Sequence, residues 1–236
     1  MKLYRYSSIT EHTKDNLKNN QIYFRSPHFF NDPYEFIFKF EIADEIYIDF
    51  LKIVYGDQFK VFLEKGMSKL EVLKHTRDHY FGQMYKLLGA VCFSENENND
   101  IMWAHYGDNH RGICIEYDTT IPPLDLCEKI IYVNHVFPLS ISDASDIEGQ
   151  LAIKIGEAFL RKHILWNYEK EWRILSGADT LVHYPSEAIK SITFGFFCDK
   201  QNKQKIIELT SHLDIKYYGI VRSKDHYLTK KITYNK

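Results

Sequence analysis

The sequence predicts an α+β fold, a single domain over residues 1–236 built on mixed and antiparallel sheet, with a helical hairpin inserted at about 44–88. Three observations predict it. Hydrophobic residues make up 44% of the chain and aromatics 15%, enough to fill a sizeable core. Strand-like runs recur from Lys2–Ser7 to Tyr227–Tyr234, mixed with helix-like ones. Helix starts, marked by capping boxes, do not fall between strands in a regular βαβ beat, so a doubly wound sheet is disfavoured.

Lys2–Ser7 reads as a first strand, with Leu3 and Arg5 on one face and Tyr4 and Tyr6 on the other. Ser8-Ile9-Thr10-Glu11 has the form of a capping box and opens a short helix that runs to Asn19-Asn20. Gln21–Arg25 is a second strand. Asn31-Asp32-Pro33 then marks a turn, because Asn and Asp bond their own backbone and Pro presets φ. Asp44–Lys65 carries an apolar stripe at helical spacing and should stop at Gly66. Ser68-Lys69-Leu70-Glu71 opens a second helix to about Leu88.

Val91–Asp118 is the densest stretch: strand, polar loop, short helix, turn, strand. The helix should cover Ile101–Tyr106 and end at Gly107, and Arg111-Gly112 should turn the chain into Ile113-Cys114-Ile115. Further on, strands are expected over Lys129–Val133, Glu169–Leu175, Ser191–Phe197, Ile215–Val221 and Tyr227–Tyr234. A third capping box, Ser145-Asp146-Ile147-Glu148, opens a helix to about His163, and another helix runs from about Lys200 to His212.

Composition narrows function mainly by exclusion. A formal net charge of -2 provides no global basic field for non-specific nucleic-acid binding. The four cysteines form no CxxC pair, so zinc and thioredoxin chemistry are poorly supported, and no metal is expected. His105 and His110 lie too awkwardly spaced on a helix for a metal pair. Cys92, inside an apolar strand, reads as inert rather than nucleophilic. Lys2 and Arg5 are followed by no apolar run, and no segment is long and apolar enough to span a membrane. A cytoplasmic protein with reduced thiols and no membrane partner is the expectation.

The candidate chemistry lies in few places. In a strand, Glu169, Glu171 and Arg173 would share one face and Trp172 and Ile174 the other. Such a face is either a solvated charge pairing or two carboxylates poised on a cleft, able to stabilise a sugar cation or act as a base. Arg5 is either a surface arginine or a phosphate clamp, since guanidinium binds phosphate oxygens bidentately. Tyr23 and the neighbouring phenylalanines either stack on a flat ring or belong to the core. Ser94, Glu95, Trp103, His105, Tyr106, His110 and Arg111 crowd the Val91–Asp118 stretch more than a merely structural hairpin would need, although Trp103 and Tyr106 also suit core anchors and His105 a satisfied core histidine.

Taken together, Leu3-Tyr4-Arg5-Tyr6, Phe30-Asn31-Asp32-Pro33-Tyr34-Glu35, Cys92-Phe93-Ser94-Glu95, Met102-Trp103-Ala104-His105-Tyr106, His110-Arg111-Gly112-Ile113-Cys114-Ile115 and Trp166 through Trp172 resemble a bacterial family numbered 2971 among the domains of unknown function. The order of an aromatic-Arg strand, a Ser-containing strand and a late ExE strand is, more distantly, similar to the ADP-ribosyltransferase-like superfamily. That resemblance implies an enzyme using NAD as substrate and passing ADP-ribose to a protein or nucleic-acid acceptor, as a toxin or antiphage effector with an antitoxin or other partner protein. It also implies roles. Arg5 would hold the diphosphate, Ser94 would shape the nicotinamide pocket with Tyr23 or Phe93 as its wall, Glu171 would face the ribose, and Glu169 is the first Glu of the ExE. Asn31, Asp32, Trp103, His105 and Arg111 would shape the acceptor side. The superfamily's Ser-Thr-Ser triplet is replaced here by Cys92-Phe93-Ser94. Two other readings stay open: a non-catalytic ligand-binding or protein-interaction module of the same fold, and an RNA-acting enzyme or nuclease.

Overall fold

The computed structural model describes residues 1–226 and 229–234. Its residues group into two compact units, the first of 1–25, 89–129 and 167–236 and the second of 26–88 and 130–166. The second unit is thus wider than the helical insertion expected at about 44–88. The chain passes between units four times, never through a Pro/Gly/Ser-rich linker, so composition marks no boundary.

The first unit is built on an eight-stranded sheet. Its strand order is Thr229–Thr233, Lys216–Arg222, Ile189–Phe194, Ile113–Asp118, Lys2–Ser7, Leu88–Ser94, Glu171–Gly177 and Glu128–Lys129. Lys2–Ser7 runs antiparallel to both of its neighbours, with Arg5 opposite Ile115 and Tyr4 opposite Ser94. Ile189–Phe194 and Lys216–Arg222 are parallel and joined through the Lys200–Leu209 helix, a βαβ-like step in a mixed α+β arrangement. Gln21–Phe24 and Thr180–His183 make a separate antiparallel pair.

The two faces of the large sheet are differently covered. Leu3, Val91, Phe93, Ile113, Ile115, Tyr117, Ile174 and Ile192 pack in one apolar cluster with Leu17 and Ile206 from the Glu11–Lys18 and Lys200–Leu209 helices. Tyr6, Met102, Trp103, Cys114 and Ile220 make a smaller cluster on the other face, with Tyr4 and Tyr106 at its margin. The alternation expected of Lys2–Ser7 is therefore realised, Leu3 entering one core and Tyr6 the other.

Several boundaries differ from expectation for local reasons. Thr10, not Ser8, caps the first helix, its Oγ1 accepting from the Thr13 N–H at 3.2 Å. Ser68 and Glu71 do form the expected reciprocal box, the Ser68 N–H donating to Glu71 Oε2 at 2.8 Å and the Glu71 N–H to Ser68 Oγ at 3.4 Å. Asp146 caps the helix Ile147–Phe159, which stops short of His163 because Arg161–His163 becomes a strand. The strand expected over Lys129–Val133 divides into Glu128–Lys129 in the first unit and Ile131–Val133 in the second. Tyr227 and Leu228, the expected start of the last strand, lie outside the described residues.

The second unit holds two parallel strand pairs, Phe38–Ile42 with Phe137–Ile141 and Ile131–Val133 with Arg161–His163. Its helices include Tyr47–Tyr55, Lys60–Glu64 and Lys69–Leu87. Gly56, at φ +55°, breaks the long helix expected over Asp44–Lys65, and Gly66, at φ +63°, ends it as expected. Phe36 packs on Phe159 with centroids 4.1 Å apart, and Phe40 on Phe50 at 5.3 Å. No helix among the described residues is long and apolar enough to cross a membrane.

Candidate functional site

The polar residues of the first unit converge on the sheet face that carries Tyr6. Asn99 caps the Asp100–His105 helix, accepting at Oδ1 from the N–H groups of Ile101 and Met102 at 2.9 and 3.2 Å. The Tyr6 hydroxyl donates to the Asn96 carbonyl at 2.9 Å and accepts from the Asn99 N–H at 3.1 Å. Tyr6 also meets Trp103 edge-on at 5.0 Å. The loop is thereby sewn to the first strand before any functional group is placed.

Ser94 extends that fastening to the carboxylates. It is fully buried, its hydroxyl donates to the Glu169 carbonyl at 2.5 Å, and it accepts from the Asn96 N–H at 3.0 Å. The Asn96 side-chain amide donates to the Tyr168 carbonyl at 2.8 Å. Ser94 is therefore a latch on the backbone that presents Glu169.

Glu169 and Glu171 do not lie on one strand as expected. Ile164–Glu169 forms tight helical turns, Lys170 takes φ +44°, and the strand starts at Glu171. The left-handed residue breaks the alternation and sends Glu169 toward the short helix, where its Oε1 accepts from the Tyr106 hydroxyl at 2.5 Å. Beside it, His105 Nδ1 and the Tyr168 hydroxyl are 3.0 Å apart, with the His105 side chain exposed. Glu171 is held by Arg173 through both oxygens, Oε1 to Nε at 2.6 Å and Oε2 to Nη2 at 3.1 Å. Glu169, Glu171 and Arg173 are all buried, at 2%, 3% and 1% exposure, which excludes a solvated charged face.

Glu95 is fastened nearby. The Lys129 ammonium approaches its Oε1 at 2.7 Å and the Trp172 indole N–H donates to the same oxygen at 2.9 Å. The Lys129 hydrogen bond, followed by that of Trp172, holds the Glu95 carboxyl below the usual carboxylate range against the opposing effect of burial. A carboxylate depressed in the folded state contributes stability that is present above its unfolded value and lost as pH falls through the folded one. Glu95→Gln should therefore cost about 1 kcal/mol at pH 7 and progressively less below about pH 5. Urea unfolding of both proteins at pH 7 and pH 3 measures this, and an equal gap at the two pH values would refute the assignment.

Other expected site residues lie elsewhere. Arg5 shares a face with Leu3, and its charge acts on Tyr117 and Tyr184, both members of Leu3's cluster. Glu171 and Arg173 alternate with Trp172 and Ile174, which pack in that same cluster. Arg5 and Glu171 consequently occupy opposite faces of the sheet, and the pocket expected to join them is not assembled. Phe93 is core, edge-on to Tyr117 at 5.5 Å, rather than a pocket wall. Tyr23 is tied to Asp179 through its hydroxyl. Trp103 is fully buried, its indole N–H donating to Asn98 Oδ1 at 3.2 Å, so it anchors the helix instead of facing an acceptor. Arg111 is exposed just after the turn. Asn31 and Asp32 belong to the second unit, where Asp32 Oδ1 accepts from the Tyr34 N–H at 2.9 Å. Tyr106, one of the residues crowded into Val91–Asp118, joins the site, as do Tyr168 and Asn96, which the sequence does not single out for it. The only signal for them was the crowding of polar and aromatic residues on either side of Trp103 and Trp166.

Residues 102–174 match the model of the family described as protein of unknown function (DUF2971), which bears out the family resemblance drawn from the motifs. The matched stretch includes Tyr106, His105, Tyr168, Glu169, Glu171 and Arg173. No curated protein and no solved structure matches the chain.

Proposed function

We propose that the protein is an ADP-ribosyltransferase-like enzyme that consumes NAD and passes ADP-ribose to a protein or nucleic-acid acceptor. The observation that carries this reading is Glu169, a carboxylate 2% exposed, gripped at one oxygen by Tyr106 and placed beside the exposed His105. Cleaving the nicotinamide–ribose bond sends the bond's electron pair to nicotinamide and leaves a ribosyl oxocarbenium ion. A carboxylate fixed in a water-poor setting offsets that charge without reorganising. The acceptor's nucleophile then bonds to the ribosyl carbon and gives up its proton, for which the exposed His105 imidazole, 3.0 Å from the Tyr168 hydroxyl, serves as base.

This assignment moves the charge-stabilising role from Glu171 to Glu169. Glu171 already has both oxygens on Arg173, so it positions the strand and is poorly able to serve a developing cation. Arg5 has no part in it, being on the other face. A biological role as a toxin or antiphage effector, acting in the cytoplasm and restrained by a partner protein, goes with the same reading. The ion-paired Glu171 also favours a second reading, a binding module that keeps the fold without the reaction.

Nicotinamide release from NAD by the purified protein separates the two. The parent is expected to release nicotinamide, Glu169→Gln at least about a hundredfold more slowly, with an unchanged melting temperature. Parent and variant releasing nicotinamide equally would remove Glu169 from the chemistry. No release by the parent, with NAD leaving the melting temperature unmoved, would defeat the NAD reading itself.

A further inference from the structure

The second unit contains a cavity of its own, about 550 Å³, lined among others by Asp32, Trp166, Arg161, His163 and His135. Its volume lies in the range of small-ligand sites. Asp32 is 5% exposed. Its Oδ1 is satisfied by the Tyr34 N–H, but Oδ2 is buried with no hydrogen-bond partner among the described residues. A buried carboxylate oxygen left without a donor is costly, and such groups in folded proteins ordinarily find a partner. Asp32 lines the cavity, and a ligand that enters it with an N–H or O–H group can supply that partner.

The other lining groups narrow what bears that donor. The Trp166 indole is set in place by the Lys162 ammonium, 4.9 Å from its ring centroid, and Lys162 is itself ion-paired with Glu35 at 3.8 Å. Arg161 also lines the cavity; its guanidinium lies over the Phe137 ring at 4.1 Å, donates from Nη1 to the Glu157 carbonyl at 2.5 Å and pairs with the Glu157 carboxylate at 3.9 Å, and His163 and His135 line the same cavity. A plain anion would be opposed by Asp32, and a plain organic cation would offer no acceptor to the Arg161 guanidinium and the two imidazoles. A ligand with an amino group on a flat ring at one end and an anionic group at the other meets all of them. The amine donates to Asp32, the ring lies on Trp166, and a phosphate faces the guanidinium and imidazoles.

We propose that this cavity binds an aminopurine nucleotide, with Asp32 reading the exocyclic amine and Trp166 stacking on the base. The inference does not rest on the NAD reading, because every lining residue belongs to the second unit.

The test titrates the full chain with adenosine 5′-monophosphate and inosine 5′-monophosphate, following tryptophan fluorescence and thermal unfolding. Inosine places a carbonyl oxygen where adenine has its amine. The parent should bind the adenosine nucleotide at least about tenfold more tightly. Asp32→Asn retains an oxygen for the Tyr34 N–H and replaces Oδ2 with an amide donor, so the preference should reverse. Trp166→Phe should lose the fluorescence response while keeping the thermal shift. Failure of the parent to bind the adenosine nucleotide, or an unchanged preference in Asp32→Asn, overturns the proposal. So does a fluorescence response that survives Trp166→Phe, since it would place the nucleotide near Trp103 or Trp172 in the first unit. The catalytic reading is decided by nicotinamide release from the parent and Glu169→Gln, so it stands or falls apart from this result.

Discussion

Replacing Arg173 with Met should lower stability by about 3–5 kcal/mol, the range found when one partner of a buried ion pair is removed. The Arg173 side chain is 0% exposed and that of Glu171 4%, so neither charge has water as an alternative partner. Arg173 meets Glu171 with two nitrogens, and a methionine of similar length fills the space while offering no donor. The carboxylate at 171 would then be buried without its guanidinium. Glu171→Gln with Arg173 intact should cost less, because the amide oxygen still accepts from one guanidinium nitrogen. The double replacement Glu171→Leu with Arg173→Met should recover much of the loss, since a hydrophobic pair removes both desolvated charges. Urea denaturation of the three variants measures the order. An Arg173→Met protein within 1 kcal/mol of the parent would mean that the pair carries little of the fold.

The same pair shows which parts of the fold the sequence could convey. Alternation within a strand is local, and it was readable: Trp172 and Ile174 point one way with Glu171 and Arg173 the other, and Leu3 separates from Tyr6 in the same manner. Whether Arg5 and Glu171 share a face is not local. It depends on the register of the intervening Leu88–Ser94 strand, and a one-residue slip exchanges the faces. The pocket expected from the ADP-ribosyltransferase-like pattern fails on that step. Glu169 was misplaced for a different reason, a single left-handed residue at Lys170, whose side chain gives no sign of that conformation. The cap at Ser68 is readable because the donor and its acceptor lie within four positions. The parallel pairing of Phe38–Ile42 with Phe137–Ile141 spans about a hundred residues, and no local pattern announces it.

Gly112→Ala should be the most damaging single-methyl change in the first unit. The sequence marks Gly112 as a turn residue, but the turn is made before it, by Asp108, Asn109 and His110 at φ +50°, +50° and +65°. These are residue types that tolerate the left-handed region better than most. Gly112 serves close approach instead: a Cβ there would stand 2.2 Å from the Ser7 carbonyl oxygen on the adjacent strand and 3.0 Å from the Gly107 oxygen. Both obstacles are backbone atoms, so no rotamer change relieves them. The Gly112 N–H donates to the Gly107 carbonyl at 2.8 Å, and its carbonyl accepts from the Gly195 N–H at 2.9 Å, so moving Gly112 also disturbs the end of Ile189–Phe194. Gly195 is constrained in the same way, since its Cβ would fall 2.3 Å from the His110 oxygen. Alanine at 112 should cost about 3 kcal/mol or more, and alanine at both positions should cost less than the sum of the two, because one displacement of the turn relieves both contacts. Thermal melts of the single and double variants decide it. Full additivity would mean that the two glycines make room for separate segments, and that the turn is not one rigid unit set against the sheet.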